Sequence, residues 1–222
     1  RSGTSHSITY IKPVTCHRIK VNEKLQGFGV HGSPADCVKL ACMQLHDGPL
    51  DLVVSGINNG ANVGINVYYS GTVAAAVEGA FMGIPAVSLS LAMDDTMDFV
   101  TAGRLCLETL ESCLPISAGD ILNINIPTLT RGMPLGVCCV PQSTSGFHEY
   151  YIPQDESHEQ TAASSFQIAG GAAHPDKEPT DTSMLSQGYI TVTPLRADMT
   201  DHRKLAHIKT RLAESEEDQR HA

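Results

Sequence analysis

The residues best suited to chemistry lie in one stretch, positions 56–72. Glycine or asparagine occupies eight of these positions, namely Gly56, Asn58, Asn59, Gly60, Asn62, Gly64, Asn66 and Gly71. Both residue types tolerate the positive φ angles of tight loops, and a simple connection does not require so many of them. The alternative is a long structural turn, but long ordered loops are commonly functional. We therefore predict a binding loop here.

Ser70, Gly71 and Thr72 follow the loop and begin a predicted helix that ends near Met82. The start of a helix offers free backbone N–H groups and the positive end of the helix dipole, and here two hydroxyls lie beside them. These groups suit an anion such as phosphate. Because residues 51–92 contain no Lys or Arg, the charge of a bound phosphate has to be balanced by backbone groups, hydroxyls and a metal ion.

Two short apolar runs flank the loop and the helix. Leu50–Ser55 and Ile84–Leu91 have the aliphatic composition of strands that are buried on both faces of a sheet. A strand, a crossover helix and a second, parallel strand form the repeating unit of an α/β sheet. Ligands bind open α/β sheets at the carboxyl ends of the strands, which is where this loop has to lie.

The rest of the chain alternates predicted strands and helices, which indicates an α/β protein. Further strands are predicted at residues 7–12, 15–21, 28–31, 120–126, 135–140 and 188–195, the last of them at the edge of the sheet. Further helices are predicted over about 33–48, 94–113 and 203–213, followed by a frayed, charged tail. In the first of these helices, Ser33 has the position of an N-cap, Pro34 the first helical position and Asp36 that of a capping-box acid.

The composition changes between residues 141 and 188, where strand candidates at 149–152 and 165–169 alternate with polar turns. We interpret this region as an extended β-hairpin arm that is exchanged between subunits. The predicted organisation is therefore a core at residues 1–140, the arm with a return strand at 141–195, and a C-terminal helix with a charged tail at 196–222.

Composition limits the possible partners and compartment. The chain of 222 residues has a formal net charge of −9 and a pI of about 5.5, which argues against a broad basic surface for a nucleic-acid polymer. Its seven cysteines contain no C-x-x-C pair, which favours free thiols in a reducing compartment over disulfides or a zinc site. No apolar segment approaches the roughly 18 residues of a membrane span, and no signal peptide opens the sequence. We therefore expect a cytoplasmic protein with no membrane partner.

Several catalytic motifs are missing from the sequence. It has no Walker-type phosphate-binding loop and no G-x-S-x-G nucleophile elbow. His158 and Glu159 begin like a zinc-protease motif, but Ala162 stands where that motif has its second histidine. These absences argue against a Walker-type nucleotide site, a serine hydrolase of that class and a zinc protease.

What remains is a group of polar side chains that can converge above the sheet, namely Ser2, Asn58, Ser70 and Thr72. Mg²⁺ and Mn²⁺ prefer oxygen ligands, usually including carboxylates. Because this group contains no carboxylate, it is an incomplete cage for a divalent cation.

Seven segments of the chain form a characteristic series. They are RSGTSHSIT at 1–9, GSPADCV at 32–38, VVSGINNGANVG at 53–64, YSGTVAAAVEG at 69–79, GIPAVSLSL at 83–91, ILNINIP at 121–127 and GYITVTPL at 188–195. In this order they closely resemble the SurE family of metal-dependent phosphatases, which act as 5′-nucleotidases. The resemblance implies a Rossmann-like three-layer α/β core with a mostly parallel sheet, and a C-terminal β-hairpin arm that is swapped in a homodimer or tetramer.

The resemblance also implies roles for individual residues. Ser2 and Asn58 are identified as ligands of one divalent metal ion per subunit, Mg²⁺ or Mn²⁺. Ser70, Gly71 and Thr72 are identified as the groups that hold the phosphate oxygens. The implied reaction is metal-assisted hydrolysis of nucleoside 5′-monophosphates, with 3′-nucleotides and short polyphosphate as further substrates.

Two more residues belong to this interpretation. Asn62 lines the same pocket. His6 lies near Ser2 in the sequence and is a candidate acid/base catalyst, but it can equally orient the loop or make a structural hydrogen bond.

The NDDG metal motif of the family does not occur in this sequence. We therefore expect that a strand, a helix and a second strand before Arg1 are missing, and that the chain as it stands binds metal poorly and hydrolyses little. Two other interpretations stay open, a non-catalytic nucleotide- or phosphate-binding module and an oligomerisation domain.

Overall fold

A computed structural model of the chain describes residues 3, 5–23, 26–145, 148–154, 165–171 and 178–220. The strands are β1 (Thr15–Lys20), β2 (Gln26–His31), β3 (Val53–Asn59), β4 (Ala86–Leu91), β5 (Ile121–Ile126), β6 (Val137–Cys139), β7 (His148–Pro153), β8 (Phe166–Gly171) and β9 (Ile190–Leu195). The α-helices are α1 (Pro34–Leu40), α2 (Gly71–Phe81), α3 (Phe99–Cys113), α4 (Asp181–Ser186) and α5 (His202–Arg220). A π-helical segment, Ala41–Leu45, extends α1, and a 3₁₀-helix, Gly64–Tyr69, precedes α2.

The main sheet has five strands in the spatial order β3-β4-β5-β9-β6. β3, β4 and β5 are parallel, whereas β9 runs antiparallel to β5 and parallel to β6. The predicted α/β fold with a mostly parallel sheet is confirmed. The prediction that β9 lies at the edge is wrong, because β9 pairs with a strand on each side and β6 forms the edge. The burial of Ile190–Thr193 is that of an interior strand.

Helices cover both faces of this sheet, which makes three layers. On one face, α3 packs against alternate residues of the central strands, including Leu89 and Ile124. On the other face, Ala76 and Ala80 of α2 pack against Val53 and its neighbours. Small alanine side chains allow the helix to approach the sheet closely, so that the start of α2 lies above the end of β3.

The face of β4 and β5 that points away from α3 is polar at its centre. Ser88, Ser90, Asn123 and Asn125 are all fully buried there. The period of two in S-L-S-L and N-I-N-I places these side chains on one face and the aliphatic ones on the other. Buried polar groups need hydrogen-bond partners, and Ser88 Oγ donates to Asn123 Oδ1 over 2.8 Å.

The pairing of β3 with β4 is irregular just before the binding loop. The register shifts between Ser55 and Asn58. Gly56 has a φ of +133°, and a Cβ atom at this position would lie 2.4 Å from the carbonyl oxygen of Leu89. A glycine is therefore required here. The shift brings Asn58 opposite Ser90 of the neighbouring strand.

Helices α1 and α2 begin where the sequence predicts. Ser33 caps α1 by accepting a hydrogen bond from Asp36 N, while the Asp36 carboxylate accepts one from Ser33 N. Ser70 caps α2 by accepting a hydrogen bond from Val73 N over 3.1 Å. Each cap satisfies N–H groups that the start of a helix leaves without an intrahelical partner.

The strand predicted at residues 7–12 does not form. Polar groups of this segment bind the start of α1 instead of a neighbouring strand. Ser33 Oγ donates to the carbonyl oxygen of Ser7 over 2.5 Å, and Thr9 N donates to Asp36 Oδ1 over 2.9 Å. The local sequence of residues 7–12 does not specify a pairing strand, whereas the side chains at the cap of α1 supply hydrogen-bond partners.

The helix predicted from Asp94 begins later, at Phe99. Asp98 is its N-cap and accepts a hydrogen bond from Thr101 N over 2.9 Å. Asp94 accepts hydrogen bonds from Asp95 N and from Thr130 Oγ1, so that it stabilises a turn ahead of the helix.

The C-terminal third contains the predicted hairpin and a longer helix than expected. β7 and β8 pair antiparallel, with Tyr150 opposite Ala169. α5 continues to Arg220 instead of ending near Ala213, and the Glu, Gln and Arg residues of the tail are good helix formers. α4 was not predicted. No described helix is long and apolar enough to cross a membrane.

Candidate functional site

A cavity of about 480 Å³ lies between the carboxyl end of β3 and the start of α2. Its lining includes five of the residues predicted for the site, which are Asn58, Asn62, Ser70, Gly71 and Thr72. Gly3, Pro34 and Tyr69 also border it. The cavity therefore lies at the edge of the sheet where ligands of α/β proteins bind.

Asn58 and Thr72, which both line this cavity, are in direct contact. Thr72 Oγ1 donates a hydrogen bond to Asn58 Oδ1 over 3.2 Å. The amide nitrogen of Asn58 donates to the carbonyl oxygen of Gly60 over 2.7 Å, which fixes the orientation of the side chain. The oxygen of the Asn58 amide is thus directed toward the first turn of α2.

The first turn of α2 provides hydrogen-bond donors. Ser70 Oγ accepts from Val73 N, so its proton is left to donate. In an α-helix the N–H groups of Gly71 and Thr72, the first two residues, have no intrahelical partner. Together with the helix dipole, these donors can bind the oxygens of an anion.

Asn62 borders the cavity, but its side chain is directed into the protein. It is only 6% exposed. Its backbone N–H donates to Asn125 Oδ1 over 2.7 Å, and its carbonyl oxygen accepts from Asn123 Nδ2 over 2.7 Å. Its own amide donates to Ser90 Oγ over 2.8 Å. Asn62 therefore anchors the loop to the buried polar face of the sheet.

A second anchor holds the loop at Gly64. The fully buried carboxylate of Asp181 accepts hydrogen bonds from Gly64 N over 2.9 Å and from Ser143 N over 2.8 Å. Gln142 Nε2 donates to the carbonyl oxygen of Gly64 over 2.7 Å. The root of the hairpin arm and the start of α4 thus fix the loop at a second point.

These anchoring residues were missed by the sequence analysis. The alternation of polar and aliphatic residues in β4 and β5 was a usable signal, because serine and asparagine at every second position of a buried strand need partners. For Asp181 no local signal exists, because its partner Gly64 is 117 residues away.

His6 does not line this cavity. It borders a neighbouring cavity of about 500 Å³ that runs along α2 and also contains Phe81 and Arg196. His6 Nε2 lies 2.6 Å from Glu78 Oε1. Ser70 borders both cavities, so that the two adjoin at the start of α2. The predicted metal ligand Ser2 lies outside the described residues.

Asp36 lies two residues after Pro34, which borders the cavity. Burial alone would raise the pKa of its carboxyl group, but hydrogen bonds from Thr9 and Ser33 outweigh burial and lower the pKa below its usual value. The carboxylate is thus kept charged while it joins residues 7–9 to the start of α1.

The described lining of the cavity offers few of the oxygen ligands that a divalent cation needs. Asn58 provides an amide oxygen, and Ser70 and Thr72 provide hydroxyls. Among the described residues that line the cavity there is no carboxylate, and in the described part of the chain no cluster of three or more His, Cys, Asp or Glu residues can hold a metal ion. The described residues alone are therefore an incomplete ligand set for Mg²⁺ or Mn²⁺.

Comparisons with known proteins place the chain in a family. The family model for "Survival protein SurE" matches residues 1–149. A protein of Rhodopirellula baltica named 5′-nucleotidase SurE is 39% identical over 215 residues, which cover 94% of this chain and 83% of that protein. A protein of the same name from Syntrophomonas wolfei is 37% identical over 206 residues, covering 91% and 77%.

The fold gives the same result. The crystal structure of the SurE protein from Aquifex aeolicus superimposes with a TM-score of 0.78 at 30% identity, covering 94% of this chain and 84% of that one. The motif series, the position of the cavity at the end of β3 and the similarity over nearly the whole chain agree with one another. The chain belongs to the SurE family.

Proposed function

We propose that this protein is a phosphomonoesterase that hydrolyses nucleoside 5′-monophosphates to nucleoside and inorganic phosphate. The observation that carries the proposal is the cavity in which the amide oxygen of Asn58 faces the first turn of α2. The relatives named 5′-nucleotidase support the substrate class. Hydrolysis of 3′-nucleotides and short polyphosphate is part of the proposal.

In this proposal the start of α2 binds the phosphoryl group. The N–H groups of Gly71 and Thr72 and the hydroxyl of Ser70 donate to its oxygens, and the helix dipole favours their negative charge. These donors are fixed before substrate arrives, because Ser70 caps the helix. Preorganised donors of this kind stabilise charge that develops on the phosphoryl oxygens during hydrolysis.

The charge of the phosphoryl group requires a cation as well. None of the described residues that line the cavity is Lys or Arg. We propose one divalent ion per subunit, Mg²⁺ or Mn²⁺, with Asn58 Oδ1 as one ligand, Ser2 as another and the rest from outside the described residues. When bound, such an ion acts as a Lewis acid and lowers the pKa of a bound water molecule.

The test is phosphate release by the protein expressed from its complete reading frame. A panel of nucleoside 5′-monophosphates, 3′-monophosphates and short polyphosphate is assayed with Mg²⁺, with Mn²⁺ and with a chelator. We expect metal-dependent release from the 5′-monophosphates, and its loss in Asn58→Ala. No release by well-folded, metal-loaded protein would contradict the proposal.

The absence of a carboxylate among the described residues of the cavity favours a second candidate, a binding module for nucleotides or phosphate without catalysis. Such a module is stabilised by nucleotides against heat, through binding to the folded state, but releases no phosphate. An NDDG motif encoded upstream of Arg1 would argue against this candidate.

We also propose that the β7–β8 hairpin, within the arm at 141–195, joins subunits into a homodimer or tetramer. The hairpin exposes Tyr150, Tyr151, Phe166 and Ile168, an apolar surface typical of an interface. Replacing Tyr151 and Ile168 by serine should lower the mass measured by sedimentation.

The seven cysteines are all free, which supports a reducing compartment such as the cytoplasm.

A further inference from the structure

Glu78 is a buried carboxylate with a basic partner on each oxygen. It lies on α2, and its side chain is 4% exposed. Glu78 Oε1 lies 2.6 Å from His6 Nε2, and Glu78 Oε2 lies 3.1 Å from Lys39 Nζ. The two partners come from different segments, the residues before β1 and helix α1. Removing either partner leaves charge that is poorly compensated in the interior, so the three residues depend on one another.

His6 is also fixed on its other sides. Its ring stacks on Phe81 of α2, with 5.7 Å between the ring centroids. The adjacent residue, Ser5, donates from its backbone N–H to the carbonyl oxygen of Tyr69 over 3.0 Å and from its hydroxyl to that of Tyr68 over 2.8 Å. Residues 5 and 6 are thereby attached to the 3₁₀-helix and to α2 at once.

This attachment affects the site because Gly3, two residues before Ser5, lines the cavity that contains Asn58. At its other end the segment is held to α1 through Thr9 and Asp36. The placement of Gly3 therefore depends on Ser5 and His6. His6, in contrast, borders the neighbouring cavity.

We infer that His6, Glu78 and Lys39 form a positioning clamp, which holds residues 5–9 against α2 and so sets the geometry of the phosphate cavity. His6 acts through this clamp and is not the acid that protonates the leaving group. The kinetic consequences rest on the proposed phosphatase function, whereas the structural consequence does not.

The two roles of His6 predict different dependence on the leaving group. A general acid is needed when the leaving oxygen is a poor leaving group, such as the ribose 5′-oxygen, and is hardly needed for p-nitrophenolate. A positioning residue changes how the phosphoryl group is held, which is common to both substrates. Comparing a nucleoside 5′-monophosphate with p-nitrophenyl phosphate therefore separates the roles.

The kinetic experiment uses the full-length protein at saturating Mn²⁺. We expect His6→Ala and Glu78→Ala each to lower kcat/KM by about 10–100-fold, as supporting residues of active sites commonly do, and by the same factor for both substrates. His6→Gln, which can still donate to Glu78, should recover most of the activity. The double variant should be no worse than either single one, because the residues act as a unit. A loss confined to the nucleotide, with p-nitrophenyl phosphate unaffected, would show that His6 is the acid.

A measurement without turnover tests the clamp directly. Amide hydrogen exchange at Ser5 reports its bond to Tyr69, and we expect Glu78→Ala and Lys39→Met to accelerate it at least about tenfold, since a local opening exposes the amide. The amide of Asn62, bonded to Asn125, is the internal control and should not change. Unchanged exchange at Ser5 in both variants would overturn the clamp. If the unaltered protein releases no phosphate, the proposed function has failed, while the exchange result still decides this inference.

If Glu78→Ala does not fold, variants of its partners Lys39 and His6 are tested instead. Lys39 is 42% exposed and His6 31% exposed in their side chains, so both can be replaced without opening the core. Lys39→Met keeps the aliphatic stem and removes the charge. Faster exchange at Ser5 in Lys39→Met, with a far-UV circular dichroism spectrum like that of the unaltered protein, supports the clamp. Unchanged exchange contradicts it.

Discussion

Thr72 Oγ1 donates a hydrogen bond to Asn58 Oδ1 over 3.2 Å and thereby connects the end of β3 to the first turn of α2. The two residues are separated by the whole binding loop, yet their side chains meet. The contact fixes the amide oxygen beside the helix N-terminus, where the proposed phosphoryl group and cation are both expected.

Removing this bond while keeping the shape of residue 72 should impair phosphate release. We expect Thr72→Val to lower the initial rate about tenfold or more, because groups that orient a ligand residue typically contribute 10–100-fold. Thr72→Ser keeps the hydroxyl and is the matched control, for which we expect nearly normal rates. A normal rate in Thr72→Val would show that the hydrogen bond does not matter.

Gly56→Ala should destabilise the fold. The position has a φ of +133°, and the added Cβ would lie 2.4 Å from backbone oxygen of Leu89. We expect a loss of about 2 kcal/mol or more in the free energy of unfolding, measured by urea denaturation, since backbone strain and steric overlap both contribute. Gly27→Ala is the control, because open space surrounds that position and its effect should stay within about 0.5 kcal/mol.

Asp36 should make stability depend on pH in the acid range. Burial raises the pKa of this carboxyl group, but the hydrogen bonds from Thr9 and Ser33 lower it overall. Because the folded-state pKa is below the unfolded value of about 3.9, the carboxylate contributes stability above that pH and loses it as the pH falls through the folded pKa. The difference in free energy of unfolding between the natural chain and Asp36→Asn should therefore shrink below about pH 4. A difference that is constant from pH 6 to pH 3 would contradict this.

Asp181→Asn should weaken the attachment of the binding loop at Gly64. The amide of asparagine places an N–H group where the carboxylate accepts from backbone N–H groups of Gly64 and Ser143. We expect a loss of about 1–3 kcal/mol in the free energy of unfolding, the penalty for a buried polar group without a partner. Asp51→Asn, at an exposed position, is the control and should change stability by less than about 0.5 kcal/mol.

The sequence predicted features that neighbouring residues determine. The cap of α2 requires Ser70 and the N–H group three residues later, and the cap of α1 requires Ser33 and Asp36. The alternation in β4 and β5 follows from the period of a strand. The cavity was predictable for the same reason, since Asn58 lies at the end of β3 and Thr72 at the start of α2, and the order of these two elements along the chain is fixed.

Features that join distant parts of the chain were not predictable in this way. The pairing of β9 with β5 and the bond between Asp181 and Gly64 depend on the topology. His6 illustrates the same limit, because its role depends on Glu78, which is 72 residues away in the chain. Motif similarity identified His6 as a candidate catalyst but could not tell a positioning role from proton transfer.

The interior position of β9 has a consequence for synthesis on the ribosome. β5 and β6 are complete long before Ile190–Leu195 emerges, yet among the described strands β6 pairs only with β9. For the time needed to translate the hairpin and α4, on the order of several seconds at typical elongation rates, β5 keeps an unpaired edge. The nascent chain therefore passes through a stage in which an apolar strand has an unpaired edge. A chaperone that binds this edge is most useful at that stage.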